Sequence, residues 1–210
     1  MGRTRIKICG ISDEDALLAA VDAGVDAVGF MFVEESPRFI DPEEAYALMS
    51  MLPPMVASVG VFANPDPDDF AEIEQACTTS FSQLHGNEDA KLVKACGPDI
   101  IKAIRFDAAT IAHELEKWSE HEDVAAILVD GSAGGEGVAF DWKLLAPLID
   151  TCPKPVIIAG GLHPGNVAEA IRLCRPFGVD VSSGVEREKG IKDIGLIEAF
   201  CEAVQRADLG

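Results

Sequence analysis

The segment Arg5-Ile6-Lys7-Ile8-Cys9-Gly10 is typical of a β-strand whose two faces differ in chemistry. Side chains alternate between the faces of a strand, so Ile6 and Ile8 share one face. Lys7 and Cys9 share the other. If the apolar face packs against helices, Lys7 and Cys9 must point into the space on the opposite side. The sequence therefore predicts a functional site in that space rather than an apolar core.

Strand and helix patterns alternate along the rest of the chain. Gly24 ends the first helix, Pro42 begins the second, and Asn64-Pro65-Asp66-Pro67 ends the third strand. Further strands are predicted at residues 26–32, 55–62, 81–84, 100–104, 124–129, 155–159 and 179–181. Helices are predicted from a cap at 12 or 13 to about 23, and at residues 43–51, 68–76, 88–95, 108–118, 142–149, 166–173 and 193–205.

Eight strand and helix pairs in series indicate parallel strands joined by crossover helices, which is an α/β architecture. An open, doubly wound sheet is compatible with this alternation. Eight units without interruption favour closure into a (β/α)8 TIM barrel. No linker or low-complexity segment divides the chain, so residues 1–210 are expected to form a single domain.

Composition excludes several classes of function. The net charge of −19, with no stripe of Lys and Arg, argues against nucleic acid as a partner. No apolar run approaches the roughly 20 residues of a membrane-spanning helix, and the first residues lack the apolar core of a signal peptide. Six cysteines without a CxxC pair fit a reducing environment, so we expect a cytoplasmic protein.

Chemistry in such barrels lies at the carboxyl ends of the strands, and two reactive residues occupy those positions. Cys9 ends the first strand. It is either a small buried apolar residue or a reactive thiol whose thiolate Lys7 favours. Asp130 ends the sixth strand, where it is either a turn or cap residue or a general acid beside an apolar wall. A cysteine base facing an aspartic acid is able to move two protons on one small substrate, which is isomerase chemistry.

Glycine-rich turns follow the last two strands. Gly160 and Gly161 end strand seven, and the segment Asp180 to Glu186 ends strand eight. Barrels often bind phosphate at these two turns through main-chain N–H groups, so we predict a phosphate site there that includes Ser183 and Gly184. The segment from Gly134 to Gly137 resembles a lid that contributes further N–H groups.

Other polar residues are predicted to surround the same opening. Arg38, in the loop after strand two, suits a carboxylate clamp. Gln83 and His85 share a face at the end of strand four, where His85 is an acid, a ligand or a hydrogen-bonded spacer. Strand alternation also places Lys102, Asp180 and Ser182 on the inner face. The remaining histidines lack metal-ligand spacing, so no metal is predicted; they are His113, His121 and His163.

Seven ordered motifs between residue 5 and about 200 resemble phosphoribosylanthranilate isomerase of tryptophan biosynthesis. They are Lys7-Ile8-Cys9-Gly10, Gly29-Phe30 with Ser36-Pro37-Arg38, Ser58-Val59-Gly60-Val61-Phe62, Gln83-Leu84-His85-Gly86, Gly135-Glu136-Gly137 with Phe140-Asp141-Trp142, Ala159-Gly160-Gly161-Leu162 with Asn166-Val167, and Asp180-Val181-Ser182-Ser183-Gly184-Val185-Glu186. The resemblance implies a cofactor-free Amadori rearrangement of N-(5-phosphoribosyl)anthranilate to the aminodeoxyribulose phosphate.

The resemblance also implies roles for single residues. Asp130 is the expected acid and Cys9 the expected base, and Arg38 holds the anthranilate carboxylate. The further residues expected to bind substrate are Lys7, Gln83, His85, Gly135, Gly160, Gly161, Asp180, Ser182, Ser183 and Gly184. The chain departs from the family at Gly131, where Ser or Thr is common, and at Val138, where Lys is common.

The expected partner is a phosphorylated small molecule, bound by a monomer or a homodimer. Two alternatives remain. One is a different sugar-phosphate enzyme on a related barrel, such as a ribulose-phosphate epimerase or indole-glycerol-phosphate synthase. Those enzymes use metal-binding or lysine and glutamate sites that this sequence does not match. The other alternative is a non-catalytic phosphate-ligand binding barrel, which would not need both Cys9 and Asp130.

Overall fold

A computed structural model describes residues 2–131 and 140–209 of the chain. Within these residues, eight parallel strands form a closed barrel in chain order. The barrel strands are β1 (Arg5–Cys9), β2 (Ala27–Met31), β3 (Ala57–Phe62), β4 (Phe81–Leu84), β5 (Ile100–Arg105), β6 (Val124–Asp130), β7 (Val156–Ala159) and β8 (Gly178–Val181). The helices are α1 (Glu14–Asp22), α2 (Pro42–Met49), α3 (Pro67–Ala76), α4 (Ala90–Cys96), α5 (Ile111–Ser119), α6 (Trp142–Ile149), α7 (Val167–Cys174) and α8 (Ile194–Leu209).

The first strand closes the barrel. It pairs in parallel with β2 on one side and with β8 on the other. In the second pairing Lys7 lies opposite Asp180, so the first and last strands bring their polar inner residues together. The predicted (β/α)8 barrel is confirmed, and the open-sheet alternative is wrong.

The strands pack against apolar side chains on both of their faces. The outer layer lies between the barrel and the helices and contains Ile6 and Ile8. A smaller cluster made only of strand residues fills the inside, and it includes Cys9, Val61 and Leu128. Strand alternation therefore places Cys9 inside the barrel, as the first strand predicted.

The predicted direction of Lys102 is wrong. Its neighbours Ile101 and Ala103 belong to the inner cluster, so Lys102 points outward. There its Nζ lies 5.6 Å from the ring centre of Trp118 and 2.8 Å from a carboxylate oxygen of Glu88. Its pairing with Glu88 offsets the cost of burying both charges.

Several element bounds differ from the predicted ones. Strand β3 begins at Ala57 rather than 55, because Met55 is almost fully exposed and has a φ of 79°. Helix α4 begins at Ala90, since the side chain of Asp89 caps its first turn by accepting from Leu92 N.

The chain after β8 forms a short helical turn and then a hairpin, and the sequence did not predict the hairpin. Ser183–Val185 form a 3-10 helix, and β9 (Glu186–Glu188) pairs antiparallel with β10 (Ile191–Lys192). This hairpin lies beside the opening of the barrel. Among the helices that the structure describes, none is long and apolar enough to cross a membrane.

Candidate active site

A cavity of about 880 Å³ opens at the carboxyl ends of the barrel strands. Nine residues predicted from the sequence line it, namely Cys9, Arg38, His85, Asp130, Gly160, Gly161, Asp180, Ser182 and Ser183. Lys7, Gln83 and Gly184 lie behind this lining, each against a residue that forms it. Gly135 and Val138 fall outside the described residues.

Cys9 is buried at the end of β1, with only 4% of its surface exposed. The adjacent strand makes room for it at Gly29, where a Cβ atom would lie 3.0 Å from Cys9 Sγ and 3.1 Å from Lys7 Nζ. Any larger residue at this position would press on both polar groups. Gly29 stands within one of the motifs, but nothing in the sequence alone indicates this role.

Lys7 is held beside Cys9 by a buried ion pair with Asp180, with 2.8 Å between Nζ and Oδ1. Burial lowers the pKa of Lys7, but Asp180 and Cys9 outweigh it, so the pKa lies above its ordinary value. The ammonium form therefore persists inside the barrel.

The effect of Lys7 on Cys9 has the predicted direction but does not dominate. Burial raises the pKa of the Cys9 thiol, and the Lys7 ammonium lowers it by less. Lys7 therefore favours the thiolate, as the sequence predicted, but its effect is smaller than the effect of burial. The pKa of the Cys9 thiol consequently lies above its ordinary value.

Asp130 ends β6 and is 6% exposed. His85 Nε2 lies 3.2 Å from Asp130 Oδ2, and His85 Nδ1 lies 2.8 Å from Gln83 Nε2. With the Gln83 amide as donor, Nδ1 accepts and Nε2 carries the proton directed at Asp130. Gln83 is fully buried, so this arrangement fixes the imidazole in one orientation.

Gly160 makes the approach to Asp130 possible. It has a φ of 83°, and a Cβ atom there would lie 2.5 Å from Asp130 Oδ1. Both the conformation and the space require glycine. The first glycine of the turn after β7 therefore contacts the carboxylate, in addition to forming part of the cavity wall.

The turns after β7 and β8 pack against each other. The Asn166 side chain donates to Gly161 O at 2.8 Å, and a Cβ atom at Gly184 would lie 1.9 Å from Leu162 O. Within residues 2–131 and 140–209, the N–H groups of Gly161, Ser183 and Gly184 have no hydrogen-bond acceptor. They are donors left available for an anion.

Arg38 already binds a carboxylate of the chain itself. Its Nε donates to Glu186 Oε1 at 2.6 Å, and its Nη2 donates to Glu186 Oε2 at 3.0 Å. Lys192 Nζ donates to the same Oε1 at 2.8 Å. Sequence reasoning did not assign a role to Glu186 or Lys192, because the ion pair joins segments 148 residues apart.

The buried Lys102 supports the loop that carries His85. Its Nζ donates to Leu84 O at 3.3 Å and to Gly86 O at 3.1 Å, on either side of His85. Glu88 accepts from the same ammonium and from the N–H groups of Asn64 and Gly86. Lys102 thus acts on the site from outside the barrel. In the part of the chain that the structure describes, no group of three or more His, Cys, Asp or Glu side chains is placed to hold a metal ion.

Comparison with known proteins gives one consistent result. The family profile for N-(5'phosphoribosyl)anthranilate (PRA) isomerase matches residues 6–203. The chain is 43% identical to the N-(5'-phosphoribosyl)anthranilate isomerase of Myxococcus xanthus over 208 residues, which is 98% of each chain. It is also 43% identical to the enzyme of the same name from Pseudomonas putida over 212 residues, covering 99% of this chain and 100% of the relative.

Solved structures of phosphoribosyl anthranilate isomerases are also similar to this chain in fold and sequence. The phosphoribosyl anthranilate isomerase of Thermotoga maritima is 37% identical, with a TM-score of 0.87 over 97% of this chain and 99% of that one. A phosphoribosyl anthranilate isomerase in complex with reduced 1-(o-carboxyphenylamino)-1-deoxyribulose 5-phosphate is 36% identical, with a TM-score of 0.84 and the same coverage.

Proposed function

Because the chain belongs to the N-(5'-phosphoribosyl)anthranilate isomerase family, we propose that Cys9 and Asp130 are the base and the acid of its reaction. The protein is an isomerase of tryptophan biosynthesis that converts N-(5-phosphoribosyl)anthranilate to 1-(2-carboxyphenylamino)-1-deoxyribulose 5-phosphate. One observation carries the assignment of the two residues. Cys9 and Asp130 end strands β1 and β6 and line the same cavity.

Asp130 acts first, as the acid. It gives its proton to the ring oxygen of the ribose, and the C1–O bond breaks to leave a Schiff base between C1 and the anthranilate nitrogen. Cys9, as thiolate, then removes the proton from C2. The electron pair of that C–H bond forms the C1–C2 double bond while the second bond between C1 and nitrogen breaks and its pair moves to nitrogen, which gives the enolamine. Tautomerisation places a proton on C1 and a carbonyl at C2, which gives the product.

His85 positions Asp130 for this step. Its Nε2 lies 3.2 Å from the carboxylate, and Gln83 holds the imidazole from behind. The carboxyl group is thereby aimed at one point in the cavity. Of the three roles that the sequence left open for His85, the hydrogen-bonded spacer has the best support from these distances.

The two ends of the substrate carry charges that the site is able to match. The N–H groups of Gly161, Ser183 and Gly184, which have no acceptor among the described residues, suit the phosphate, and Arg38 suits the anthranilate carboxylate. Lys7, Asp180 and Ser182 surround Cys9 at the reacting end of the sugar. The proposed reaction is an internal rearrangement that proceeds by proton transfers and needs no external oxidant or reductant, so it requires no cofactor.

A fluorescence assay tests the function directly. Freshly prepared phosphoribosylanthranilate is added to the purified protein, and loss of anthranilate fluorescence is followed. The wild-type protein is expected to accelerate this loss, whereas the double variant Cys9→Ala/Asp130→Asn is expected to leave the background rate unchanged. A wild-type protein that binds the substrate without converting it would instead support the non-catalytic binding barrel.

We further propose that residues 1–210 act as one catalytic domain in the cytoplasm. All six cysteines are free thiols, which suits a reducing compartment. The domain is expected to be a monomer or a homodimer, and a solved isomerase from Thermotoga maritima is described as dimeric. Sedimentation equilibrium at micromolar concentration distinguishes the two states.

A further inference from the structure

The guanidinium of Arg38 has two edges that are each able to bind a carboxylate through two parallel hydrogen bonds. One edge consists of Nε and one terminal nitrogen, and the other of the two terminal nitrogens. Glu186 occupies the first edge, through Nε and Nη2. Among the residues that the structure describes, Nη1 has no hydrogen-bond partner, so the second edge remains for a ligand in the cavity that Arg38 lines.

Glu186 is itself firmly held. Its side chain is 4% exposed, and Gly190 N donates to its Oε2 at 3.2 Å. Lys192 Nζ, which is fully buried, donates to its Oε1 at 2.8 Å. Two cations and one anion therefore meet here, and the cluster keeps one net positive charge when Lys192 is protonated. Glu186 fixes Arg38 without cancelling the attraction of the cluster for an anion.

The same cluster is linked to the strand that carries Cys9. Lys192 Nζ donates to Ser182 O at 3.0 Å, and Ser182 Oγ donates to Cys9 O at 3.0 Å. The aliphatic part of Arg38 packs on Gly10, where a Cβ atom would lie 2.7 Å from Arg38 Cδ and where φ is 76°. The guanidinium is thus fixed relative to Cys9 through both contacts.

We propose that Glu186 is a positioning residue that presents the second edge of Arg38 to the aromatic carboxylate of the substrate. This inference rests on the proposed role of Arg38 as the carboxylate clamp. The ion pair between Arg38 and Glu186 has two possible roles in substrate binding, and the proposal selects the first. In the first, Glu186 stays bound and orients the clamp. In the second, Glu186 is an internal competitor that the substrate carboxylate must displace.

The two readings predict opposite effects of Glu186→Gln. An orienting carboxylate, once replaced by an amide, leaves Arg38 free to rotate, and KM is expected to rise roughly tenfold while kcat changes by less than about threefold. Glu186→Asp keeps the charge and is expected to recover part of the loss. A fall in KM in Glu186→Gln, or an unchanged KM, overturns the proposal.

A second substrate separates positioning from general damage to the fold. The analogue made from aniline lacks the carboxylate, so its KM is expected to be the same for the wild type and Glu186→Gln. An equal rise in KM for both substrates would show a structural effect only and would overturn the proposal. Glu198→Gln, on the exposed surface of α8, is the matched control for removal of one glutamate charge, and thermal unfolding is measured for every variant.

The same substrates test the clamp itself. KM for the substrate and KM for the aniline analogue are compared within each enzyme. If the two values are equal in the wild type and also equal in Arg38→Met, the proposed role of Arg38 fails, and this holds for any result with Glu186→Gln. If only the wild type discriminates between the two substrates, the clamp stands, and the result for Glu186→Gln then decides the present inference.

Discussion

Lys7 donates a hydrogen bond to Asp180 at 2.8 Å across the closing strands of the barrel, and both side chains are buried. The pair places a positive charge beside Cys9, and this charge opposes the effect of burial on the Cys9 thiol. The pH at which Cys9 becomes a base therefore depends on Lys7.

Replacing Lys7 with methionine is expected to raise the pKa of Cys9 further, because the substitution removes the positive charge that most opposes the effect of burial. The rate of Cys9 alkylation by iodoacetamide, followed by mass spectrometry of its peptide, is measured against pH. We expect the wild-type midpoint to lie above that of an ordinary thiol and the variant midpoint to lie higher still. An unchanged or lower midpoint in Lys7→Met would contradict this role.

Gly184 provides a test of the anion site. Alanine at this position would push its Cβ into Leu162 O, which lies 1.9 Å from the ideal Cβ position, so the turns after β7 and β8 must separate. We expect Gly184→Ala to cost about 1 to 3 kcal/mol of stability and to raise KM. The inhibition constant of inorganic phosphate is expected to rise with it.

Gly195 at the start of α8 is the matched control, because the nearest atom to its ideal Cβ position, Asp193 Oδ1, is 3.4 Å away. Gly195→Ala is expected to leave KM and phosphate inhibition unchanged. Equal phosphate inhibition in the wild type and Gly184→Ala would count against this site.

Glu186 makes stability depend on pH. Burial raises the pKa of this carboxyl, but hydrogen bonds from Arg38 and Lys192 lower it to about 2, against 4.5 ordinarily. The pKa of Glu186 is lower in the folded state than in the unfolded state, so its ionised form stabilises the fold. This contribution is about 3 kcal/mol at pH values above about 4.5, and it disappears as the pH falls towards 2.

The free energy of unfolding in urea is therefore compared for the wild type and Glu186→Gln between pH 7 and pH 2. The difference is expected to be largest above about pH 5 and to shrink at lower pH. A difference that stays constant over this range would mean that the ion pair does not produce the shift.

The net charge of −19 is expected to slow capture of the substrate, which carries a phosphate and a carboxylate. Raising the ionic strength to about 0.15 M shortens the screening length to about 8 Å, so kcat/KM is expected to rise. The measurement is kcat/KM against sodium chloride concentration, with viscosity held constant. A steady fall from the lowest salt concentration would show that local attraction at Arg38 and the anion site dominates the long-range repulsion.

Alternation along β1 was sufficient to predict which way Cys9 points, because Ile6 and Ile8 mark the outer face without ambiguity. The same rule failed at Lys102. Its segment Ile100-Ile101-Lys102-Ala103-Ile104 has apolar residues in both phases, so alternation alone does not identify the inner one. Asp130 and Cys9 were both assigned to a common site because each ends a strand. In the closed barrel both residues line the same cavity.

The remaining features depend on contacts between distant segments. The hairpin of β9 and β10 has five strand residues, four of them charged, and shows no apolar alternation. Its position depends on Glu186, which pairs with Arg38 from the other end of the chain. The small size required at Gly29 likewise follows from Cys9 and Lys7 on the neighbouring strand. Such requirements become visible only when the neighbours are known.

The turnover numbers of Cys9→Ala and Asp130→Asn test the central claim most directly. Each variant is expected to reduce kcat by roughly 10² to 10⁴, with an unchanged circular dichroism spectrum. Cys152→Ala, at a partly exposed position away from the cavity, is the control and is expected to keep wild-type turnover. Near-normal turnover in either Cys9→Ala or Asp130→Asn would contradict the assignment of base and acid.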